Sequence, residues 1–146
     1  MGDIKEQDSS ADVFLAEGAH DEGNARCMLA LFGSEFLYCD AYGWMFWTGT
    51  HWQREGAEQK LDLAIAAMLK QRCKLAVMMD RPDVGKASWP SARHIGSCRM
   101  LFDELVYAHV NTFDADPDLL NVANGVLNLS TGELTPHDSS QRFTYC

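Results

Sequence analysis

The sequence predicts an α+β fold in which amphipathic helices pack on short antiparallel β-meanders and hairpins. Three observations carry this. Residues 36–55 alternate aromatic residues with turn formers, residues 58–79 and 91–109 place apolar residues at helical spacing, and residues 119–136 divide into short apolar runs separated by Asn-Gly and Thr-Gly. At 146 residues, with 47% hydrophobic and 23% charged residues, the chain has the length and composition of one globular domain.

The first twenty or so residues are polar, small and acidic, with only Val13-Phe14-Leu15 to bury, and residues 1–21 read as a flexible segment. Asn24 is a good N-cap for a short helix ending at Gly33. A three-stranded meander follows: Phe36 to Cys39, Trp44 to Thr48, and His51 to Arg54. A Gly49-Thr50 turn sets Trp47 opposite Trp52, while Trp44 and Phe46 point to the other face. Apolar residues on both faces predict a sheet covered on both sides.

In residues 58–79, Leu61, Ile65, Met68, Leu69 and Ala76 form one stripe, with Lys60, Lys70 and Lys74 on the opposite side. Arg72 falls in the apolar stripe, so either the helix bends or ends near Gln71, the outcome favoured by the cost of burying an unpaired charge, or the guanidinium is paired at an interface. Residues 81–86 (Arg81-Pro82-Asp83-Val84-Gly85-Lys86) read as a loop. The next helix is capped by Ser88 or Ser91, takes Pro90 in its first turn, and buries Ile95, Cys98, Phe102, Leu105, Val106 and His109. Met100 and Tyr107, seven apart, form an exposed apolar pair. Two hairpins turning at Ala123-Asn124-Gly125 and Ser130-Thr131-Gly132 complete the chain. The stop at Cys146, with no closing element, is expected to be a truncation.

Composition narrows function. The net charge of −9 argues against a surface that binds nucleic acid throughout, but residues 1–24 hold seven acids against Lys5, whereas residues 57–112 hold eight bases against six acids. Only the middle of the chain suits DNA. Lys60, Lys70 and Lys74, with Arg93 and Arg99 on the next helix, are the DNA-binding candidates. No apolar run approaches the roughly 20 residues of a spanning helix, and no secretory signal is present, so a cytosolic protein without membrane contact is expected.

No complete catalytic or cofactor motif is visible. Val84-Gly85-Lys86-Ala87-Ser88 has the Gly-Lys of a phosphate loop but lacks the upstream glycine and the adjacent hydroxyl. Asp114, Asp116 and Asp118 imitate the start of a calcium loop, yet Leu119 and Gly125 stand where Gly and Glu are needed. Cys27, Cys39, Cys73, Cys98 and Cys146 are scattered without a CxxC pair, and the five histidines show no HExxH. No bound cofactor or metal is expected.

Gly23-Asn24-Ala25-Arg26, the aromatic meander from Tyr38-Cys39 to Trp52, the Ser91-Ala92-Arg93 helix opening, and the segment from Asp114 to Asp138 resemble the phage and plasmid primase-helicase family related to the poxvirus replicative NTPase. The resemblance covers about residues 22–142. It implies a non-catalytic, helicase-preceding domain over 22–142, with 143–146 opening the connection to a superfamily 3 motor that lies further on. ATP and Mg would belong to the parent's motor alone. Its implied partners are the adjacent primase and helicase domains, DNA, and further copies of the parent as a homo-oligomer. Trp44, Trp47, Trp52, Met100 and Tyr107 are the candidates for domain or subunit packing. Two rival readings are a free-standing phage protein-binding module and a metal-dependent nuclease built on Asp114, Asp116 and Asp118.

Overall fold

A computed structural model describes residues 12–146, which divide into two compact units. The helical unit comprises the residues up to Gly33 and Gln59–Val106; the hairpin unit comprises Ser34–Glu58 and Tyr107–Cys146. The fold class is α+β, with helices and two small antiparallel three-stranded sheets.

In the helical unit, α1 (Asp21–Phe32) begins earlier than the sequence predicts, because His20 rather than Asn24 is its cap. The His20 Nδ1 accepts from the Gly23 N–H at 2.9 Å, and Asp21 and Glu22 favour the positive end of the helix. Asn24 is instead buried, for a reason that lies in α2 (Ala57–Met78). That helix continues past Gln71 to Met78 and so does not end there, and Leu61, Ile65, Met68, Leu69 and Ala76 are all buried as their spacing predicts. It closes at Asp80, which takes φ +54 while Asp80 N–H donates to Val77 O and Arg81 N–H to Ala76 O. This is a Schellman end built on Asp instead of Gly.

Residues 81–86 are not a loop: Pro82–Ala87 forms a short helix, α3, with Pro82 in its first turn and Lys86 in its last. Buried Gly85 leaves room for close packing on Ala76. The last helix, α4 (Ala92–Leu105), is capped by Ser91, whose hydroxyl accepts from His94 N–H at 3.2 Å; Pro90 therefore precedes the helix. Cys98 and Phe102 face inward, and α4 packs on α1. Because α4 ends at Leu105, His109 lies beyond its stripe and is exposed, capping a 3₁₀ turn at Val110–Thr112.

Arg72 holds this unit together. Its guanidinium is fully buried and, among the described residues, uses all five N–H donors without a carboxylate. Nε donates to Phe14 O (2.9 Å), Nη2 to Glu17 O (2.7 Å) and Gly18 O (2.6 Å), and Nη1 to Asn24 Oδ1 (2.5 Å) and Ser88 Oγ (3.3 Å). Asn24 Nδ2 donates in turn to Ala87 O at 2.9 Å. Residues 14–18, assigned by sequence to a flexible segment, thus supply acceptors to a buried charge; residues 1–11 of that segment lie outside the described residues.

In the hairpin unit, β1 (Phe36–Cys39), β2 (Gly43–Trp47) and β3 (Trp52–Gln53) form the expected meander. Trp47 pairs with Trp52 in register, with ring centroids 5.6 Å apart. Cys39, Met45, Trp52, Ala108 and Phe113 make its core. The second sheet, β4 (Leu119–Val122), β5 (Gly125–Asn128) and β6 (Leu134–Thr135), follows the two predicted hairpins. Gly125 takes φ +151, and a Cβ there would stand 2.3 Å from Thr135 O, so no other residue suits the point where β6 closes on β5. Buried Asn121 donates to both Thr50 O and Tyr145 O at 2.7 Å and accepts from His137, fastening the second sheet to the meander turn and the chain's end.

Replacing Arg72 by Met leaves the carbonyls of Phe14, Glu17 and Gly18 unpaired and leaves the Asn24 amide oxygen with only the Ser88 hydroxyl, at 3.4 Å. A loss of about 3 kcal/mol or more in urea unfolding is expected, with Arg72→Lys intermediate because three donors replace five. A loss below about 1 kcal/mol for Arg72→Met would sink the assigned role.

Candidate functional site

The two units differ in charge. The helical unit holds ten of the chain's 12 Lys and Arg residues, whereas the hairpin unit has only Arg54 and Arg142 against nine carboxylates. Both of those arginines are engaged with aromatic rings: Arg54 lies over Tyr42 at 5.1 Å, and Arg142 over Phe113 at 6.0 Å. Cationic residues are therefore concentrated in the helical unit.

There, the candidates separate. Lys60, Lys70 and Lys74 are exposed on the outer side of α2, interleaved with the exposed Leu63, Val77 and Met78. Arg93 is exposed near the start of α4. Arg99 is not equivalent, because its Nη1 is 3.3 Å from an Asp62 carboxylate oxygen, and that ion pair offsets its charge. The other arginines of the unit are also spoken for: Arg26 pairs with Glu22 and Arg81 with Asp83.

The packing candidates also divide. Trp44 and Trp52 are buried, the Trp44 ring 5.2 Å from Tyr38 and the Trp52 Nε1 donating to Ser139 O at 2.8 Å, so both serve the interior. Trp47 is partly buried beside them. Met100 and Tyr107 are both exposed; α4 ends between them, and Met100 belongs to the helical unit and Tyr107 to the hairpin unit. Tyr107 Oη donates to Asp40 at 3.1 Å, a bond that favours the neutral phenol and raises its pKa. Trp89, which the sequence does not single out, is exposed.

The motif-like segments are occupied by structure. Gly85 and Lys86 lie within α3, and the Ser88 hydroxyl accepts from Arg72, so these residues do not form a phosphate cradle. The Asp114 carboxylate accepts from Thr144 N–H (2.9 Å) and Thr144 Oγ1 (2.5 Å), and Asp116 accepts from Asp118 N–H at 2.9 Å. Among the described residues no three His, Cys, Asp or Glu side chains gather as a metal site, and no helix is long and apolar enough to cross a membrane. Burial pushes the Cys27 thiol up to about 11 and the Cys98 thiol up to about 12, which keeps both protonated and poor nucleophiles near neutral pH.

The same geometry accounts for the two most distinctive segments. In Gly23-Asn24-Ala25-Arg26, Gly23 lets Gly18 O approach where a Cβ would be 2.0 Å away, Asn24 receives Arg72, Ala25 is buried, and Arg26 pairs with Glu22. In the segment from Asp114 to Asp138, Asn121, Asn128 and Asp138 bond backbone groups, and Gly125 permits the close strand approach.

A helical unit closed on a buried arginine and a double-hairpin unit closed on a buried asparagine define an α+β domain of internal polar knots. The D5 N terminal like family model matches residues 25–146, and the chain belongs to that family, the domain that precedes the superfamily 3 helicase in phage- and poxvirus-type primase-helicases. A DNA-replication context follows from the family. No curated protein matches the chain.

The raised thiols set a pH dependence. Ionisation of unfolded thiols from their ordinary value of 9.0 favours unfolding until the folded groups ionise, so stability is full below about pH 9 and falls above it, with the Cys27 contribution lost by about 11. The melting temperature should drop between pH 8 and 10.5, and less steeply in Cys27→Ala than in the parent when each is scaled to its own value at pH 8. A drop of unchanged steepness in that variant would separate Cys27 from the effect.

Proposed function

We propose that this chain is a non-catalytic module of a DNA-replication primase-helicase that organises the downstream ATPase ring by packing against neighbouring protein. The observation that supports this most is the family match over 25–146, because domains of that family precede a superfamily 3 helicase. The side chains fit the role: the polar groups that resemble catalytic motifs are engaged in turns and knots, and the exposed outer side of α2 mixes apolar with cationic residues, as protein-docking surfaces do. ATP and Mg²⁺ belong to the motor of the parent protein, working in the cytoplasm of a bacterial host.

A superfamily 3 motor joined to this chain should assemble into rings at a protein concentration at least about tenfold lower than the motor alone, read by mass photometry. Equal assembly thresholds would remove the organising role.

Direct DNA contact is the second reading. Lys60, Lys70 and Lys74 on one helix face support it, since phosphate neutralisation needs only positioned cations; Arg93 could add a fourth. The nine carboxylates of the hairpin unit oppose it. Lys70→Glu with Lys74→Glu is expected to abolish any binding measured in a low-salt DNA titration. Unchanged affinity would exclude these lysines.

A further inference from the structure

The second sheet carries a feature that its sequence pattern disguises. Leu120 pairs directly with Leu127, and Leu127 with Leu134, so the three side chains form a row across one face. Asn121, Val126 and Thr135, paired in the adjacent register, belong to the opposite, more buried face. Leu120 and Leu134 are exposed, and Leu129, in the turn that follows β5, is 57% exposed. These leucines are already partly buried, so covering each would recover only part of the about 1.5–3 kcal/mol that full burial of such a side chain contributes. Exposed acids border this sheet: Asp118 precedes β4 and Glu133 precedes β6, at the end where Leu129 N–H donates to Asp118 O and Asn128 N–H to Glu133 O.

The outer side of α2 is its counterpart. Leu63, Lys70 and Val77 recur every seven residues and so lie along one line of the helix, with Lys74 and Met78 beside them. Leu63 is 73% exposed, Val77 74% and Met78 69%. One surface is apolar with cations and the other apolar with carboxylates, and both are present on every copy. DNA fits this pairing less well, because Leu63, Val77 and Met78 offer nothing to a phosphate and the leucine row would stay uncovered.

We propose that the acidic leucine face of one copy docks on the lysine-bearing face of α2 in the next copy. The contact is heterologous, joining two different surfaces, and repeated contacts of that kind build a ring or an open chain of subunits. The inference deepens the ring-organising function and rests on it, naming the partner as a second copy and the two surfaces as its contact.

Charge reversal on each face tests it, using exposed side chains. Variant A is Lys70→Glu with Lys74→Glu; variant B is Asp118→Lys with Glu133→Lys. The wild-type chain should self-associate in sedimentation equilibrium, more tightly at low salt, and A and B alone should each weaken association at least about tenfold. An equimolar mixture of A and B restores opposite charges at every contact and should recover association. Val77→Ser and Leu129→Ser, which keep all charges, should each weaken it by about fivefold, giving a second route should a reversal disturb folding by circular dichroism. A monomeric wild-type chain, or folded variants whose mixture stays dissociated, overturns the proposal. So does lysine-dependent DNA binding by a chain that remains monomeric. A monomeric chain that still lowers the assembly threshold of the motor overturns only this contact and leaves the organising role standing.

Discussion

The helical unit depends on the solvation of one buried cation. Removing a guanidinium from water is costly, and burial accordingly lowers the Arg72 pKa, yet among the described residues no carboxylate pairs with it. Five neutral acceptors replace its hydration: three backbone carbonyls from residues 14–18, the Asn24 amide and the Ser88 hydroxyl. Each comes from a different stretch of chain from α2, so the group is satisfied only when the N-terminal segment, α1 and the end of α3 are all in place. This makes Arg72 a device for specificity more than for stability, because a half-satisfied site is worse than an apolar one.

Asn121 plays a comparable part in the hairpin unit at lower cost. A neutral amide has four hydrogen-bonding positions, and here three are used on the meander turn, the chain's end and His137. The short strands beside it cannot define a sheet by length alone, since two-residue β3 and β6 contribute few ladder bonds. Side-chain bonds to backbone supply the missing definition. A family signature can therefore be rich in polar residues without marking a catalytic site: Asn24, Asn121, Asn128 and Asp138 are all engaged in holding backbone.

Once the polar groups are assigned to structure, what remains exposed is informative. The cationic residues of the helical unit and the carboxylates of the hairpin unit are hidden within one acidic total, and the exposed leucines and valine lie within those two fields rather than away from them. Apolar contact gives such surfaces their affinity, and the charges set which surfaces meet.

The α+β class, the meander register with Trp47 opposite Trp52, the two hairpins and the buried stripe of α2 were legible from the sequence alone, because each rests on local periodicity and turn chemistry. The family resemblance was equally legible, since it lies in residue identity. Local rules failed where a distant partner decided the outcome. They favoured a break at Arg72 because its acceptors lie more than fifty residues away at Phe14, Glu17 and Gly18, and they made Asn24 a cap because its real partner stands in another helix. Aromatic alternation did not reveal which faces are covered, so it left Trp44 and Trp52 open between core filling and packing on a neighbour; both are buried. The leucine row escaped notice for the same reason: Leu120, Leu127 and Leu134 become neighbours only when strand register aligns them, and register is a property of the folded chain.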